Sequence, residues 1–272
     1  MNITGLQPKP SLASRLRGRD LLIGLVVKMP CPAVIEAAGH AGLDLVVIDT
    51  EHGGGDTAEL ENHLRAADSS GIDAIVRVGA NDPLQILRAL DAGATGVIVP
   101  HVNTADDAIA ATRAAHYPPD GNRGLAMSTR AGRHSTGTLA EHIERARRDT
   151  VVIVQIEDQK AVAAARDIAA TPNVDAVWLG PGDLSMSLGR PGDLNHPEVV
   201  IAIDAIVDGV NAASAAALCV LVDAEQDIPA WQQRGACVAL FAATKILASR
   251  LEDLVNAAKT VEPATGLLTP NP

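Results

Sequence analysis

The chain has 272 residues, 47% of them hydrophobic and 20% charged, enough to bury a sizeable core as one large domain or two small ones. Its 22 basic and 33 acidic residues leave a net charge of −11, which repels a phosphate backbone, and two Trp, one Tyr and one Phe offer few stacking platforms for single-stranded nucleic acid. Nucleic acid is therefore excluded as a partner, and a core of Val, Ile, Leu and Ala points to parallel strands covered by helices on both faces.

Residues 1–20 read as an N-terminal extension carrying Arg15, Arg17 and Arg19. The apolar run 21–27 is too short to span a membrane and marginal as a signal sequence, so it reads as a buried strand. Cys31, Cys219 and Cys237 are odd in number and lack CxxC spacing. They fit buried small residues in a reducing compartment, and a cytoplasmic location is expected.

Further short apolar runs follow at 43–49, 72–78, 95–100, 151–156, 174–179, 217–222 and 236–241, making eight expected strands. Amphipathic stretches lie between them at 32–41, 57–70, 83–92, 105–115, 159–170, 197–214, 226–234 and 244–259. Asp82 before Pro83 is an N-cap with proline at the first helical position. Leu84, Leu87 and Leu90 then mark one apolar face, and Thr104 with Asp107 has capping-box spacing. Gly42 and Gly71 stand where helices must stop. Eight alternating units most simply close into a single (β/α)8 TIM barrel over residues 21–260, with a doubly wound open sheet as the alternative. The segment 117–150, opening on Tyr117-Pro118-Pro119-Asp120-Gly121 and holding a charged helix near 139–149, breaks the rhythm as a long insertion. Residues 261–272 are expected to be a flexible tail.

In such a barrel the active site lies at the carboxyl ends of the strands. There the sequence places Asp49, Thr50, Glu51 and His52, then Arg77, then His101, then Gln155 and Glu157, then Gly180-Pro181-Gly182-Asp183. Glu157 and Asp183, on neighbouring strand ends, are hard oxygen ligands suited to Mg²⁺ or Mn²⁺; their alternative is helix capping or pairing with arginine. The Gly-Pro-Gly-Asp turn lets a ligand approach its backbone, whose amides suit a carboxylate. His52 is the natural general base, because an imidazole titrates near working pH. Arg77 either stabilises a developing oxyanion or pairs with Asp49 or Glu51. His101 stays a rim residue without a role. A metal, a base and a fixed positive charge suit proton abstraction or carbon–carbon chemistry beside a carbonyl, and the residues alone go no further.

Several segments carry a resemblance: Val46-Val47-Ile48-Asp49-Thr50-Glu51-His52, Val76-Arg77, Asn81-Asp82-Pro83, Val99-Pro100, Tyr117-Pro118-Pro119 with Arg123-Gly124, Gln155-Ile156-Glu157, and Gly180-Pro181-Gly182-Asp183-Leu184-Ser185. In this order and spacing, from about 24 to 251, the chain resembles the metal-dependent pyruvate aldolases of the 4-hydroxy-2-oxoheptanedioate and 2-dehydro-3-deoxyglucarate aldolase family, relatives of the citrate lyase beta subunit. The resemblance implies a class II aldolase that cleaves or forms a 4-hydroxy-2-oxo acid through a pyruvate enolate, giving pyruvate and an aldehyde. It assigns the divalent metal to Glu157 and Asp183. Pyruvate would be positioned by Gln155, Gly182 and Asp183, His52 would be the acid/base and Arg77 the charge stabiliser. It makes Asp91 the carboxylate partner of the histidine, although Asp91 precedes the fourth strand and so belongs to the opposite rim. It also implies a homo-oligomer, with a hexamer as the expected size. Two stretches depart from the family, Gly53-Gly54-Gly55 and Phe241-Ala242-Ala243-Thr244-Lys245, and both bear on the aldehyde pocket.

Three other readings stay open. A Schiff-base aldolase needs a desolvated lysine, and of the five lysines only Lys28 and Lys245 reach the rim. Another metal-enolate lyase, an acyl-CoA ester lyase or a decarboxylase, would keep the same residues. A catalytically inactive barrel would keep the fold alone.

Overall fold

The structure, a computed structural model, describes residues 10–260; the first nine residues and the tail expected to be flexible lie outside the described residues. Eight parallel strands close in chain order into a barrel: β1 (Leu22–Val27), β2 (Leu45–Asp49), β3 (Asp73–Arg77), β4 (Gly96–Val99), β5 (Val151–Ile156), β6 (Ala176–Leu179), β7 (Ala217–Leu221) and β8 (Ala236–Ala242). Each lies within two residues of its expected run, and the open-sheet alternative falls because β8 pairs with β1.

Around them run α1 (Leu12–Arg17), α2 (Pro32–His40), α3 (Thr57–Ser70), α4 (Pro83–Asp91), α5 (Ala105–Ala115), α6 (Leu139–Asp149), α7 (Ala165–Ala169), α8 (Pro181–Ser187), α9 (Pro197–Ala213), α10 (Ile228–Gln233) and α11 (Ala243–Thr260). Local chemistry sets their ends as expected. The Asp82 carboxylate accepts the Leu84 N–H at 2.8 Å, Thr104 and Asp107 form a reciprocal capping box, and Gly71 closes α3 in the left-handed region at φ 71°.

Strand side chains alternate between two cores. Outward residues such as Val46, Ile48, Val76, Val97, Val152 and Val154 pack under the helices. Inward residues fill the lumen: Leu22, Val26, Leu45, Val47, Ile75, Ile98, Ile153, Trp178, Cys219 and Leu240. Gly24 also faces inward, and a β-carbon there would meet the Leu240 side chain at 2.6 Å and Leu45 at 2.9 Å, so the lumen is filled to contact.

The end of the barrel opposite the carboxyl ends of the strands is closed by α1, which lies within the stretch set apart as an extension on sequence grounds. Leu12, Ala13 and Leu16 are buried in the same cluster as the lumen residues. Arg15 pairs with Asp44 at 2.7 Å, and Asp44 accepts the Ile23 N–H at 2.8 Å, tying α1 to the first two strands. Leu16→Ala is therefore expected to cost about 2–5 kcal/mol in a urea titration; a loss below about 1 kcal/mol would mean α1 merely rests on the barrel.

Asp175, at the entrance to β6, accepts the Val152 N–H at 2.9 Å and, among the described residues, has only the exposed Arg17 as an ionic partner, at 3.8 Å. Burial pushes its carboxyl up from 3.8 to about 6, against the hydrogen bond and Arg17. An acid whose folded pKa is raised binds its proton more tightly in the folded state. Stability is then fully present below about pH 4 and falls as pH rises through about 6. A two-unit shift corresponds to roughly 3 kcal/mol. Asp175→Asn should raise the melting temperature by several degrees at pH 8 and change it little at pH 4; equal shifts at both pH values would contradict this assignment.

The insertion 117–150 follows α5 and so packs on the same closed end. Its Tyr117 hydroxyl lies 2.9 Å from His142 Nε2, and the Arg123 guanidinium stacks 4.8 Å over the Tyr117 ring. At the far end of the sequence, α11 leaves the barrel surface: Ile246, Leu247, Leu251, Leu254 and Val255 are all exposed, and after Ala243 no described side chain of this helix is buried.

Candidate active site

Inward period-two faces carry polar residues once the strands reach their carboxyl ends. Asp49 follows Val47 on β2, Arg77 follows Ile75 on β3, and Gln155 and Glu157 follow Ile153 on β5. All four are at least 96% buried, being 4%, 4%, 2% and 3% exposed. Asp49 and Arg77 are register partners, which is why they meet: Arg77 Nε donates to Oδ1 at 2.9 Å and Nη2 to Oδ2 at 2.5 Å. Burial alone would raise the Asp49 carboxyl, but this two-pronged guanidinium contact outweighs it and holds the group below the ordinary carboxylate range. The pairing reading of Arg77 thus holds, with its remaining nitrogen free to face the rim.

That nitrogen, Nη1, lies 3.1 Å from Glu51 Oε2 and 3.4 Å from Gln155 Oε1. From there the contacts close a ring. Gln155 Nε2 donates to Glu157 Oε2 at 2.5 Å; Glu157 Oε1 faces His101 Nδ1 at 2.9 Å; and His101 Nε2 faces Glu51 Oε1 at 3.0 Å. The guanidinium also lies 5.0 Å over the Trp178 ring, which forms the floor. Glycine at 180 is required here, because a β-carbon would meet the Glu157 Cβ at 2.7 Å and Gln155 Nε2 at 2.9 Å. Gly182, in the first turn of α8, has nothing within 4 Å of the place a side chain would take, so its backbone is open to a ligand.

The ring carries more negative than positive charge. Burial first, then the carboxylates of Glu51 and Asp183, push Glu157 up to about 7 against the opposing pull of His101. Asp183 is exposed at the start of α8, close enough to Glu157 to act on it electrostatically. Glu51, His101 and Glu157 each offer a ligand atom within 4.8 Å of the others. Crowded, incompletely neutralised carboxylates with an imidazole are the donor set that a divalent cation fits.

Of the residues singled out from sequence, Arg77, Gln155 and Glu157 are in direct contact, and Gly182 and Asp183 stand at the adjoining helix start. His52 is half exposed on the loop after β2, its Nε2 3.7 Å from Glu51 Oε2. That loop is held by Asp49, which accepts the N–H groups of Glu51 and His52 at 3.1 and 3.2 Å. Gly53 completes the turn, since a β-carbon there would lie 2.1 Å from the Asp49 carbonyl oxygen. Asp91 is not brought to this rim. It ends α4 at the closed end, paired with Arg123 Nη2 at 2.7 Å. Sequence reasoning placed Glu51 and His101 on the rim but gave neither a part in the site chemistry; their position two residues beyond β2 and β4 was the available signal. Lys28, its side chain 40% exposed, lies 3.7 Å from Asp49, and the exposed Lys245 pairs with Asp223 at 2.5 Å; both reach water, so neither is the fully desolvated lysine a Schiff base requires.

Comparison with known proteins shows the family of the chain. The family described as HpcH/HpaI aldolase/citrate lyase matches residues 22–248. A hydroxypyruvate/pyruvate aldolase of Sagittula stellata is 40% identical over 196 residues, 72% of this chain and 77% of the relative. A 2-dehydro-3,6-dideoxy-6-sulfogluconate aldolase of Pseudomonas putida is 42% identical over 193 residues, 71% of this chain and 75% of the relative. Among solved structures, an HpcH/HpaI aldolase/citrate lyase family protein from Burkholderia cenocepacia superposes with a TM-score of 0.86 at 32% identity, covering 92% of this chain and 99% of the other.

Proposed function

The chain belongs to the HpcH/HpaI aldolase/citrate lyase family, and from that premise we propose that it is a class II pyruvate aldolase, a carbon–carbon lyase that splits a 4-hydroxy-2-oxo acid into pyruvate and an aldehyde or joins the two. The observation that carries this is the ring at the barrel mouth, where one guanidinium nitrogen faces Glu51 directly and Glu157 across Gln155. Glu157 and Asp183 hold the divalent cation, Mg²⁺ or Mn²⁺. When bound, that cation supplies Lewis-acid polarisation of the 2-oxo group.

The protein's own residues do the rest. Gln155 and the backbone at Gly182 and Asp183 orient the pyruvate end of the substrate. His52, half exposed on its loop, takes the proton from the 4-hydroxyl as the C3–C4 bond breaks, and a proton is then delivered to C3 of the enolate to complete pyruvate; synthesis runs the same transfers in reverse. The aldehyde leaves towards the cleft beside Asp49 lined by Lys28, Met29 and Gly53 to Gly55. Arg77 Nη1 holds the negative charge on the enolate oxygen, and because Nε and Nη2 are fixed on Asp49 it needs no reorganisation to do so. The Trp178 floor and the packed lumen below exclude water from that side.

The working form we propose is a homo-oligomer in the cytoplasm, with a hexamer as the expected size. The exposed apolar residues of α11 and the half-buried Ile23 and Phe241 on the neighbouring strands support a second copy of this chain as the partner that covers them. In such an assembly Asp91 would meet a neighbouring copy's His52 loop rather than its own. No helix among the described residues is long and apolar enough to cross a membrane.

Incubation of the purified protein with Mn²⁺, pyruvate and a panel of aldehydes is expected to give 4-hydroxy-2-oxo acids, and EDTA to abolish the reaction. Activity that survives EDTA, or borohydride trapping of pyruvate on Lys28, would overturn the assignment in favour of a Schiff base. Consumption of an acyl-CoA, or release of CO₂, in place of aldol product would favour a different enolate lyase.

A further inference from the structure

We propose that the cleft between the end of α4 and the insertion, α6 included, binds a small oxyanion carrying two or more negative charges, a phosphate or a polycarboxylate. The cleft lies at the closed end of the barrel, beside the residues that lead into β4 and β5, and is independent of the cation reading. Its volume is about 310 Å³, and Arg123, Arg130, Arg133, Arg145 and His142 line it. Four of the 22 basic side chains of a protein with a net charge of −11 thus converge on one hollow. Like charges gathered in this way repel, so the arrangement is unfavourable unless counter-charge occupies it.

The chain supplies only part of that counter-charge. Arg123 Nη2 donates to Asp91 at 2.7 Å, and Arg130 pairs with the exposed Asp68. Arg133 and Arg145 have no carboxylate at ion-pairing distance among the described residues. Glu141 feels both at longer range, and its carboxylate is engaged by the Thr138 N–H and hydroxyl at 3.1 and 2.9 Å. Arg145 is held instead by two neutral acceptors: its Nη2 donates to the Ala131 carbonyl at 3.0 Å and to His142 Nδ1 at 3.1 Å. The second bond needs a lone pair on Nδ1, which leaves the Nε2–H for the Tyr117 hydroxyl at 2.9 Å. His142 is thus a neutral imidazole, in keeping with the burial, and then Arg145 and Arg123, that push it below its ordinary value. The Arg145 guanidinium is fixed while its charge stays uncompensated. Arg123, its side chain 3% exposed, also keeps a buried Nε–H without a hydrogen-bond partner. The backbone adds a further sign. Arg133, His134 and Ser135 lie in succession at φ 52°, 50° and 68°, a left-handed turn built from residues that rarely adopt it. Planar guanidinium forks held in this way grip carboxylate or phosphate oxygens in pairs.

Isothermal titration of the full-length, Mg²⁺-loaded protein with inorganic phosphate and with tricarballylate tests this, and none of its readouts needs aldolase activity. Saturable binding of at least one probe is expected, and the tighter of the two identifies the class of oxyanion. Acetate, with a single charge, should bind about tenfold more weakly or worse. Arg133→Gln and Arg145→Gln should each weaken the tighter probe by about tenfold or more. Arg65→Gln, on α3 where the arginine pairs with Glu61, should leave it unchanged. Arg133 is exposed, so its variant should melt like the wild type without the probe and gain less from the probe's addition. No saturable binding of either probe below about 10 mM, equal binding in both variants, or acetate bound as tightly would overturn the proposal. Altered sedimentation of the two variants with probe binding retained would overturn it too, assigning the arginines to a contact between copies of the chain.

Discussion

Glu157→Gln is expected to abolish divalent-cation binding and to lower turnover by roughly three orders of magnitude or more, the scale of losing the principal electrostatic stabilisation of a developing oxyanion. The substitution is nearly isosteric; it removes the charge and turns one acceptor oxygen into a donor, which a turn of the Gln155 amide facing it can meet. In the folded protein that charge is unfavourable without a cation: burial and the carboxylates of Glu51 and Asp183 push the group up to about 7. The amide should therefore leave the melting temperature unchanged or raised at pH 8 in the absence of metal. A variant that is stable, folded and inactive, with no heat of Mn²⁺ binding by titration calorimetry, is the expected outcome. Activity within tenfold of the wild type would remove Glu157 from the cation site.

Arg77→Ala should be damaging in two separable ways. Asp49 is 4% exposed and loses both prongs of its partner, which leaves a buried, unpaired carboxylate. Breaking such a pair costs about 3–5 kcal/mol. The Nη1 group facing the rim is lost as well, and turnover should fall by about 10²–10³. Arg77→Lys keeps a charge but not the planar fork that grips Asp49 while presenting Nη1, so it should recover little activity. The pair Asp49→Asn with Arg77→Met separates the effects: stability should return towards that of the wild type while turnover stays low with KM little changed. If activity returned with stability, Arg77 would be a support for the loop and nothing more.

The barrel was readable because its signals are local and repeated. Runs of β-branched and aliphatic residues set the strands, and Asp82, Thr104 and Gly71 marked helix ends through chemistry that operates within four residues. The two missed helices show where that reading stops. α1 has six residues, and its apolar face makes sense only once Leu12 and Leu16 close the lumen, a contact with strands far along the chain. α8 begins inside a Gly-Pro-Gly turn, which reads as loop until Pro181 is seen as its first residue.

The site divided in the same manner. Arg77 and Gln155 lie on strands and Glu157 directly follows one, where alternation tells which side chains face the lumen and the barrel rule tells which end matters. Glu51, His52 and His101 lie just beyond strand ends, where period two no longer holds. His101 reaches its partners through a left-handed backbone that no pattern announces. Asp91 marks a different limit. Within one chain it belongs to the closed end with Arg123, so any contact with a His52 would be made between copies of the chain.

The central claim is that Glu157 and Asp183 hold one divalent cation within reach of Arg77 and His52. Anomalous diffraction from crystals soaked in Mn²⁺ and pyruvate tests it most directly. The account predicts a single manganese peak bridging those two carboxylates, with the pyruvate oxygens completing its shell beside Arg77. A peak elsewhere, or pyruvate bound with the two carboxylates turned apart, would contradict it.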